Sequence, residues 1–582
     1  MVTKLAQLAD EVIETDFLII GGGLAGCMAA IRAKRKGNID VAIMERASIK
    51  YGGDSIGVDD HSDWRPEYYK AMIEHPLPRG FPSEDVIKRP KTFGPDRLRG
   101  GTISWNLAVN EARNYAVTMT VLEDIGVKIL EDDGSLKIRQ ERTIRGLPHW
   151  HRPVPDAKGK IEADWILYRG TDLKDKLAAA VLKSGARVFS RTLLTGLITK
   201  DGTVVGATGV NTRSGKFLVF KAKTVLLSSG GIRRLYLYPY APFPNNLFFS
   251  RTSPSNHGGG VAAAYRAGAK LGNLEFIYVR IVAAGACTTS GVGGGWYWNL
   301  KNSKGEVIGM WSAFEPDMET PAIERDVFTF DRGSAVNEAV VGCYFTAATE
   351  YPRALKLHKL AGGMGKGAPV EVRPFLNGIT HGGVLPVNEN AEASIKNLFV
   401  AGDASCGLGD NGSRAIVWGL IVGDHVRELM PELKKPVFNG EQVRQVAAEK
   451  GRAFAPLGNK GDVNPLELED YVRKINMNYI GLHKIEPRLK RAAEIMKVVR
   501  ERFVPSLVAS DPHELMRALE VQDIIELSEL HAQFSLLRTE SRDVPSHYRV
   551  DYPGQDDEHW KNTIVTVENV AGEAKYDIER ME

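Results

Sequence analysis

Cysteine is scarce in this chain: four residues in 582, Cys27, Cys287, Cys343 and Cys406, scattered and with no Cys-x-x-Cys pair. That scarcity leaves a disulfide framework, a cysteine-ligated zinc site and a resident iron–sulfur cluster without support, and it points to a reducing compartment. Long apolar runs are lacking too, since no stretch reaches the ~20 residues of a membrane span. The first residues, Met1 to Glu11, carry acids and no apolar core, so no signal peptide is expected and a cytoplasmic location is. Nor is there an excess of one charge. Basic residues number 75 against 72 acidic ones, for a net charge of +3 without sustained like-charge blocks, and nothing in that balance asks for nucleic acid or an anionic membrane. Internal repeats and low-complexity tracts are absent as well.

What is present is glycine, 59 residues of it, in a chain 43% hydrophobic and 25% charged whose length predicts about three domains. The run Asp16-Phe-Leu-Ile-Ile-Gly21-Gly22-Gly23-Leu24-Ala25-Gly26 is followed about twenty residues later by Val41-Ala-Ile-Met-Glu45. Strand, glycine turn, Ala-rich helix, strand and terminal acid are the parts of a dinucleotide-binding βαβ unit. Gly21 permits the tight turn, Gly23 close approach to a pyrophosphate, Gly26 helix–strand packing, and Glu45 is placed to accept from a ribose hydroxyl. A chance glycine-rich turn would not supply the acid at that offset. Only one such unit is found, which argues against a reductase with two dinucleotide sites.

Short β-branched runs recur at 186–190, 192–199, 204–210, 216–220 and 224–228, the middle three reading as a β-meander inserted in an α/β frame. The last, Thr224-Val-Leu-Leu-Ser-Ser229-Gly230-Gly231, is a buried strand entering a second glycine turn. Residues 276–371 lose the βαβ rhythm and read as an inserted cap. The α/β pattern returns in Ser394 to Asp403, followed by an apolar helix from about Ala415 to Leu429, and after Pro431 the chain turns helical and charged. The expected division is a first FAD-domain part at 1–275, a cap at 276–371, a second FAD-domain part at 372–432 and a C-terminal helical domain at 433–582. The cofactor choice comes from Asn397-Leu-Phe-Val-Ala-Gly402-Asp403-Ala-Ser, where strand, glycine and aspartate suit a flavin's ribityl and phosphate groups; a merely local capping role for Asp403 is the alternative.

With these landmarks the chain resembles the fumarate reductase/succinate dehydrogenase flavoprotein superfamily, and within it the adenylylsulfate reductase α-subunit branch. The resemblance rests on Gly21–Gly26, on Ser255-Asn-His-Gly-Gly-Gly-Val-Ala-Ala-Ala-Tyr-Arg-Ala-Gly-Ala269, and on the glycine pair after His381. Ala401-Gly-Asp-Ala-Ser405 and the C-terminal run from Ser535 through Arg542 to Pro553 complete it. It implies an α/β, Rossmann-like FAD-binding domain with an inserted α+β capping domain and a C-terminal helical domain, with substrate held between cap and flavin. Several relatives attach the flavin to a histidine; counting back from Ile56-Gly57, that position is Tyr51 here, so non-covalent FAD is expected. Residues expected at the cofactor are Gly21, Gly23, Leu24, Ala25, Gly26, Glu45, Gly52, Gly53, Ser229, Gly230, Gly402, Asp403 and Ser413; no metal ligands are expected.

The resemblance also puts His381 on the substrate-binding histidine and Arg414 on the carboxylate-binding arginine of the superfamily. Taken as residues alone, His381 is equally a turn histidine bonding backbone, and Arg414 a helix-start arginine pairing with an acid. The cap arginine that moves the proton in fumarate reductases is missing from Cys287–Trp298, and Phe276-Ile-Tyr-Val-Arg280 replaces the His-Pro-Thr motif, so plain fumarate or succinate chemistry is not expected. Arg280 is a substitute cation or a salt-bridge partner. Asp60 and His61, in Gly57-Val-Asp-Asp-His-Ser-Asp-Trp64, are acid/base candidates. Trp296, Tyr297 and Trp298 either stack a ring or fill the cap core, and the His149/His151 loop reads as solvated.

Three functions remain at this stage. The first is a flavoprotein subunit of an FAD-dependent oxidoreductase that works on a small polar or anionic substrate and exchanges electrons with a separate iron–sulfur, ferredoxin-like partner. The second is adenylylsulfate reductase α subunit proper. The third, of another class, is a redox-inactive subunit that holds FAD for assembly.

Overall fold

The computed structural model describes residues 5–35, 37–53, 60–63, 105–127, 138–140, 164–236, 253, 255–283, 300–301, 307–308, 328–331, 369–379, 381–408, 412–542 and 546–581. Strand β1 (Glu11–Ile20) is central because its second half, Phe17–Ile20, is apolar on both faces and buried on both. It runs parallel to β2 (Val41–Glu45) on one side and β9 (Phe217–Leu227) on the other. Numbering the strands between as β3 (Asp60–Asp63), β4 (Ile138–Gln140), β5 (Asp164–Arg169), β6 (Arg187–Ser190), β7 (Thr192–Lys200) and β8 (Thr203–Asn211), the sheet order is β6-β2-β1-β9-β8-β7.

Strand β9 does two jobs along its length. Phe217–Lys221 pairs antiparallel with β8 in the meander, while Val225–Leu227 pairs parallel with Leu398–Val400. Two runs that read separately in the sequence are therefore one strand. The interruption is Lys221 and Lys223, whose charges are answered from neighbouring β1 by Glu14 (3.4 Å) and Asp16 (2.9 Å).

Helix α1 (Leu24–Lys34) covers one face of this sheet. The later helices are α2 (Trp105–Asp124), α3 (Gly170–Lys183), α4 (Gly259–Arg266) and α5 (Gly412–Leu429). Helix α5 lies close against α1 through two glycines: a methyl group at Gly419 would sit 2.2 Å from the Ala25 carbonyl oxygen, and one at Gly423 2.6 Å from that of Ala29.

Strands β10 (Leu271–Gly272), β11 (Ile277–Ala283), β12 (Leu300–Lys301), β13 (Val307–Ile308), β14 (Phe328–Asp331), β15 (Pro369–Ile379), β16 (Gly383–Val384) and β17 (Leu398–Val400) follow. Five of them form an antiparallel sheet in the order β11-β15-β14-β12-β13, within the stretch that lost the βαβ rhythm. Strand β15 runs past 371 and ends beside the main domain, where the Ile379 amide donates to the Ile232 carbonyl at 2.8 Å.

The C-terminal part carries α6 (Gly440–Phe454), α7 (Pro465–Ile475), α8 (Glu486–Val498) and α9 (Pro512–Leu537). Their starts are chemically marked. Asn439 closes a capping box on α6, Asn464 caps α7, and Asp511 accepts from the His513 and Glu514 amides at 2.7 and 2.9 Å, each cap contributing about 1 kcal/mol. The helices are followed by a hairpin, β18 (Thr563–Val570) with β19 (Glu573–Arg580), whose β18 extends the small sheet β16-β10. Helix α9 is buried on most sides and carries Glu520, fully enclosed, into the main domain. Arg46 bonds Glu520, and Arg234 bonds it at 2.7 Å and Glu469 at 3.0 Å. Burial works to raise the Glu520 carboxyl, but Arg234 and Arg46 outweigh it and hold it well below the usual carboxylate range.

Candidate active site

Strands β1, β9 and β17 end at one edge of the sheet, and the turns that leave them meet there. In an open parallel sheet that carboxyl edge is where ligands bind. The Ser228 amide donates to the Ile20 carbonyl (2.9 Å), its hydroxyl to that of Gly21 (2.8 Å), and the Ala401 amide to that of Leu227 (2.9 Å). Gly21 adopts φ +100°, and a side chain there would meet the Ser228 carbonyl oxygen at 2.3 Å; a side chain at Gly26 would meet that of Gly21 at 2.0 Å. At Gly23 the nearest atom to an added methyl is the Gly53 Cα at 3.8 Å, so the cradle stays open there. Gly52 is buried against Glu45, whose carboxylate would lie 2.6 Å from a methyl at that position.

Glu45 accepts from the Gly22 amide at 2.6 Å and from the Ala47 amide at 2.7 Å, so it holds the glycine loop directly. The Gly22 carbonyl is taken from the other side by the ammonium of Lys174 on α3 and by the thiol of Cys27 at 3.3 Å. Burial pushes the Cys27 thiol up, so it stays protonated. Leu24 and Ala25 are buried in the first turn of α1.

Ser229 Oγ is buried and has no hydrogen-bond partner among the described residues, and Gly230 adopts φ +82° beside the Asn256 amide. Asp403 accepts from the Arg233 guanidinium at 3.0 Å, and Ser413 is buried near the start of α5. Tyr51 is 62% exposed.

The segment after β15 is clamped. Methyl groups at Gly378, Gly382 and Gly383 would meet backbone oxygens of Ile232, Asn273 and Ala404 at 2.0, 2.5 and 2.4 Å. Between them His381 takes φ +57°, a conformation that costs a non-glycine residue on the order of 1 kcal/mol. The Gly407 amide donates to the His381 carbonyl at 3.1 Å, and the Gly407 carbonyl accepts from Arg414 at 2.9 Å, so one turn ties the two candidates together. Arg414 has an acid partner as well, Glu111 of α2, buried rather than on the surface.

Asp60 and His61 lie in β3, paired with Arg169 and Tyr168 of β5, and β3 runs beside α5 and α3; Arg280 pairs with Phe375 across β11 and β15. The side chains of these three, and residues 57–59, 149–152 and 296–298, lie outside the described residues. Among the described residues no cluster of three or more His, Cys, Asp or Glu suits a metal ion, and no helix is long and apolar enough to cross a membrane.

Sequence reasoning passed over Lys174, Glu111, Arg233 and Ser228. For two of them a signal existed. Lys174 stands in register with Ala178 and Val181, and Glu111 with Leu107, Thr118 and Leu122, on the buried stripes of their helices, where a charge needs a partner.

The comparisons with known proteins agree with this edge. An FAD binding domain model matches residues 16–56 and 107–296, and a fumarate reductase flavoprotein C-terminal model matches 469–582. The chain belongs to the fumarate reductase/succinate dehydrogenase flavoprotein superfamily. It is similar to a subunit of the fumarate reductase (CoM/CoB) of Methanothermobacter marburgensis, 24% identical over 584 residues that cover 96% of this chain and 98% of that one. It is also similar to the fumarate reductase flavoprotein subunit of Helicobacter pylori, at 24% identity over 95% of this chain and 82% of that one. Among solved structures, adenylylsulfate reductase of Archaeoglobus fulgidus superimposes with a TM-score of 0.77 at 19% identity, covering 100% of this chain and 97% of that one. Quinol fumarate reductase of E. coli gives 0.75 at 18% identity, with 98% and 97% covered.

This superfamily member is an FAD-dependent oxidoreductase of that type, and FAD is its cofactor. The residues present fit that group: an open cradle at Gly23, the start of α1 behind it, a buried hydroxyl without a partner on Ser229, and Asp403 at the third turn.

Proposed function

We propose that this chain is the flavoprotein subunit of a cytoplasmic enzyme whose small, polar, anionic substrate lies between the flavin and the segment 276–371. Electrons pass to or from a separate iron–sulfur, ferredoxin-like protein, and the FAD is bound without a covalent link. The four-part division at 275, 371 and 432 belongs to the same proposal. The observation that carries it is the Gly407 turn, whose amide holds His381 and whose carbonyl holds Arg414, joining the end of β15 to the start of α5 beside the cofactor edge.

Bound FAD supplies hydride acceptance or donation. The chain's part is to hold an anion with His381 and Arg414, to exclude water, and to place a proton on the substrate from Asp60, His61 or Arg280. Gly21, Gly23, Leu24, Ala25, Gly26, Gly52 and Gly53 line the dinucleotide; Glu45 and Asp403 accept from its hydroxyls, while Ser229, Gly230, Gly402 and Ser413 line the flavin side. Tyr51, exposed and not a nucleophile for the flavin ring, supports the non-covalent link.

The test is anaerobic titration of the yellow protein with sulfite plus AMP, succinate and a panel of small organic acids. Re-oxidation of the dithionite-reduced protein by fumarate, with the thiols in the Methanothermobacter relative's name tried as donors, covers the reverse direction. Bleaching or recovery of the flavin absorbance by one anionic compound, lost in His381→Ala, is the expected result. Reduction by dithionite alone, with no anion active in either direction, would overturn the substrate class and favour an FAD-holding assembly role.

A further inference from the structure

Lys174 is the buried cation nearest the glycine loop, 2% exposed, on the inner face of α3. Among the described residues its ammonium has two partners, the Gly22 carbonyl and the Cys27 sulfur at 3.2 Å, and no carboxylate within ion-pair distance. A buried ammonium bonded only to neutral groups is costly, and its usual remedy is an anion close by. The peptide group it holds is the one whose N–H belongs to Gly23, the residue that opens α1. A positive charge on the carbonyl end of that peptide makes its N–H a stronger donor, and at low dielectric the charge acts well beyond contact distance.

We infer that Lys174 is a positioning residue for the cofactor's pyrophosphate: from behind the loop it supplies the counter-charge for the diphosphate and fixes the Gly22–Gly23 peptide for binding. Glu45 completes the grip, taking the Gly22 amide while Lys174 takes the Gly22 carbonyl. The loop is held from two sides by opposite charges before any ligand arrives. Neither side chain needs to touch the phosphates for this, and a lysine behind the loop leaves the cradle at Gly23 open.

The inference predicts a dependence on ligand charge that a purely structural lysine would not give. Full-length apo-protein is titrated with FAD by flavin fluorescence, and ADP and adenosine are used as competitors. In the wild type ADP, which carries the diphosphate, competes far better than adenosine. In Lys174→Met the advantage of ADP over adenosine shrinks by about tenfold to a hundredfold, the scale of a hydrogen bond to a charged group, and Lys174→Arg restores most of it. Equal weakening of both competitors, or no change in either, overturns the inference. If Lys174→Met does not fold, Lys174→Gln carries the same comparison. Failure of the wild type to take up FAD at all would instead sink the cofactor site, which the competitor ratio does not address.

Discussion

Arg414 places its Nε 2.9 Å from each carboxylate oxygen of Glu111, and the Trp418 indole donates to the same carboxylate at 2.8 Å. The pair fastens α2 to the first turn of α5, and that turn also carries Ser413. Arginine at this position therefore has a structural duty as well as the anion-binding one proposed for it.

Glu111→Gln is expected to lower stability by about 1–3 kcal/mol, because it removes the charge that both Arg414 and Trp418 address in a largely buried place. Arg414→Lys is expected to recover little of what Arg414→Ala loses, since a lysine has no counterpart of the planar Nε and Nη donors. Urea midpoints of the single and double variants measure the coupling. Additive losses would show that the two side chains do not support one another.

Gly419→Ala tests the helix crossing beneath the cofactor edge. Its methyl would lie 2.2 Å from the Ala25 carbonyl oxygen, so the helices must separate, at a cost of about 1–3 kcal/mol and with weaker FAD retention. Gly451→Ala in α6 is the matched control. Nothing lies within 4 Å of the added methyl, and the helix gains about 0.5–1 kcal/mol. Thermal melting and flavin content after gel filtration separate the two.

Lys484 gives a pH signature in the C-terminal part. Burial pulls its ammonium down to about 7, with Glu275 working against that shift and Arg549 adding to it, and the ammonium donates to the Glu275 carbonyl at 3.1 Å. Between pH 7 and the ordinary lysine range the unfolded chain binds the proton that the folded chain has given up. Stability should thus rise with pH across that window, by at most about 1.4 kcal/mol per unit. Lys484→Met should flatten the slope. Urea midpoints at pH 7, 8 and 9 decide it, and equal slopes in both proteins would refute the assignment.

Much of the fold was legible because its signals are local and periodic. The glycine spacing after Ile20, the acid at Glu45 and the strand–Gly–Asp run ending at Asp403 each state a backbone requirement that few other structures meet. Other features were hidden for physical reasons. The two lysines in β9 broke an apolar pattern because their counter-charges sit on a strand two hundred residues earlier. Helix α5 begins at Gly412, before the apolar run that marked it at Ala415, because its first turn is polar and faces the site. The hairpin Thr563–Arg580 was obscured by the charge of β19, most of which faces solvent. Lys174 and Glu111 had only the oddity of a charge on an apolar stripe, and their partners, a carbonyl and an arginine far along the chain, have no sequence pattern.

The enclosed carboxylate of Glu520 has a consequence for biosynthesis. Arg46, which adjoins Glu45 in the first hundred residues, and Arg234 share a counter-ion that the ribosome supplies only near the end of translation. A nascent chain shorter than about that length has two guanidinium groups facing one another without their acid, so the nucleotide-binding half is not finished as it emerges. Cofactor loading is then an event of the released polypeptide, and a premature stop ahead of α9 yields a colourless product even though every glycine of the fingerprint has been made.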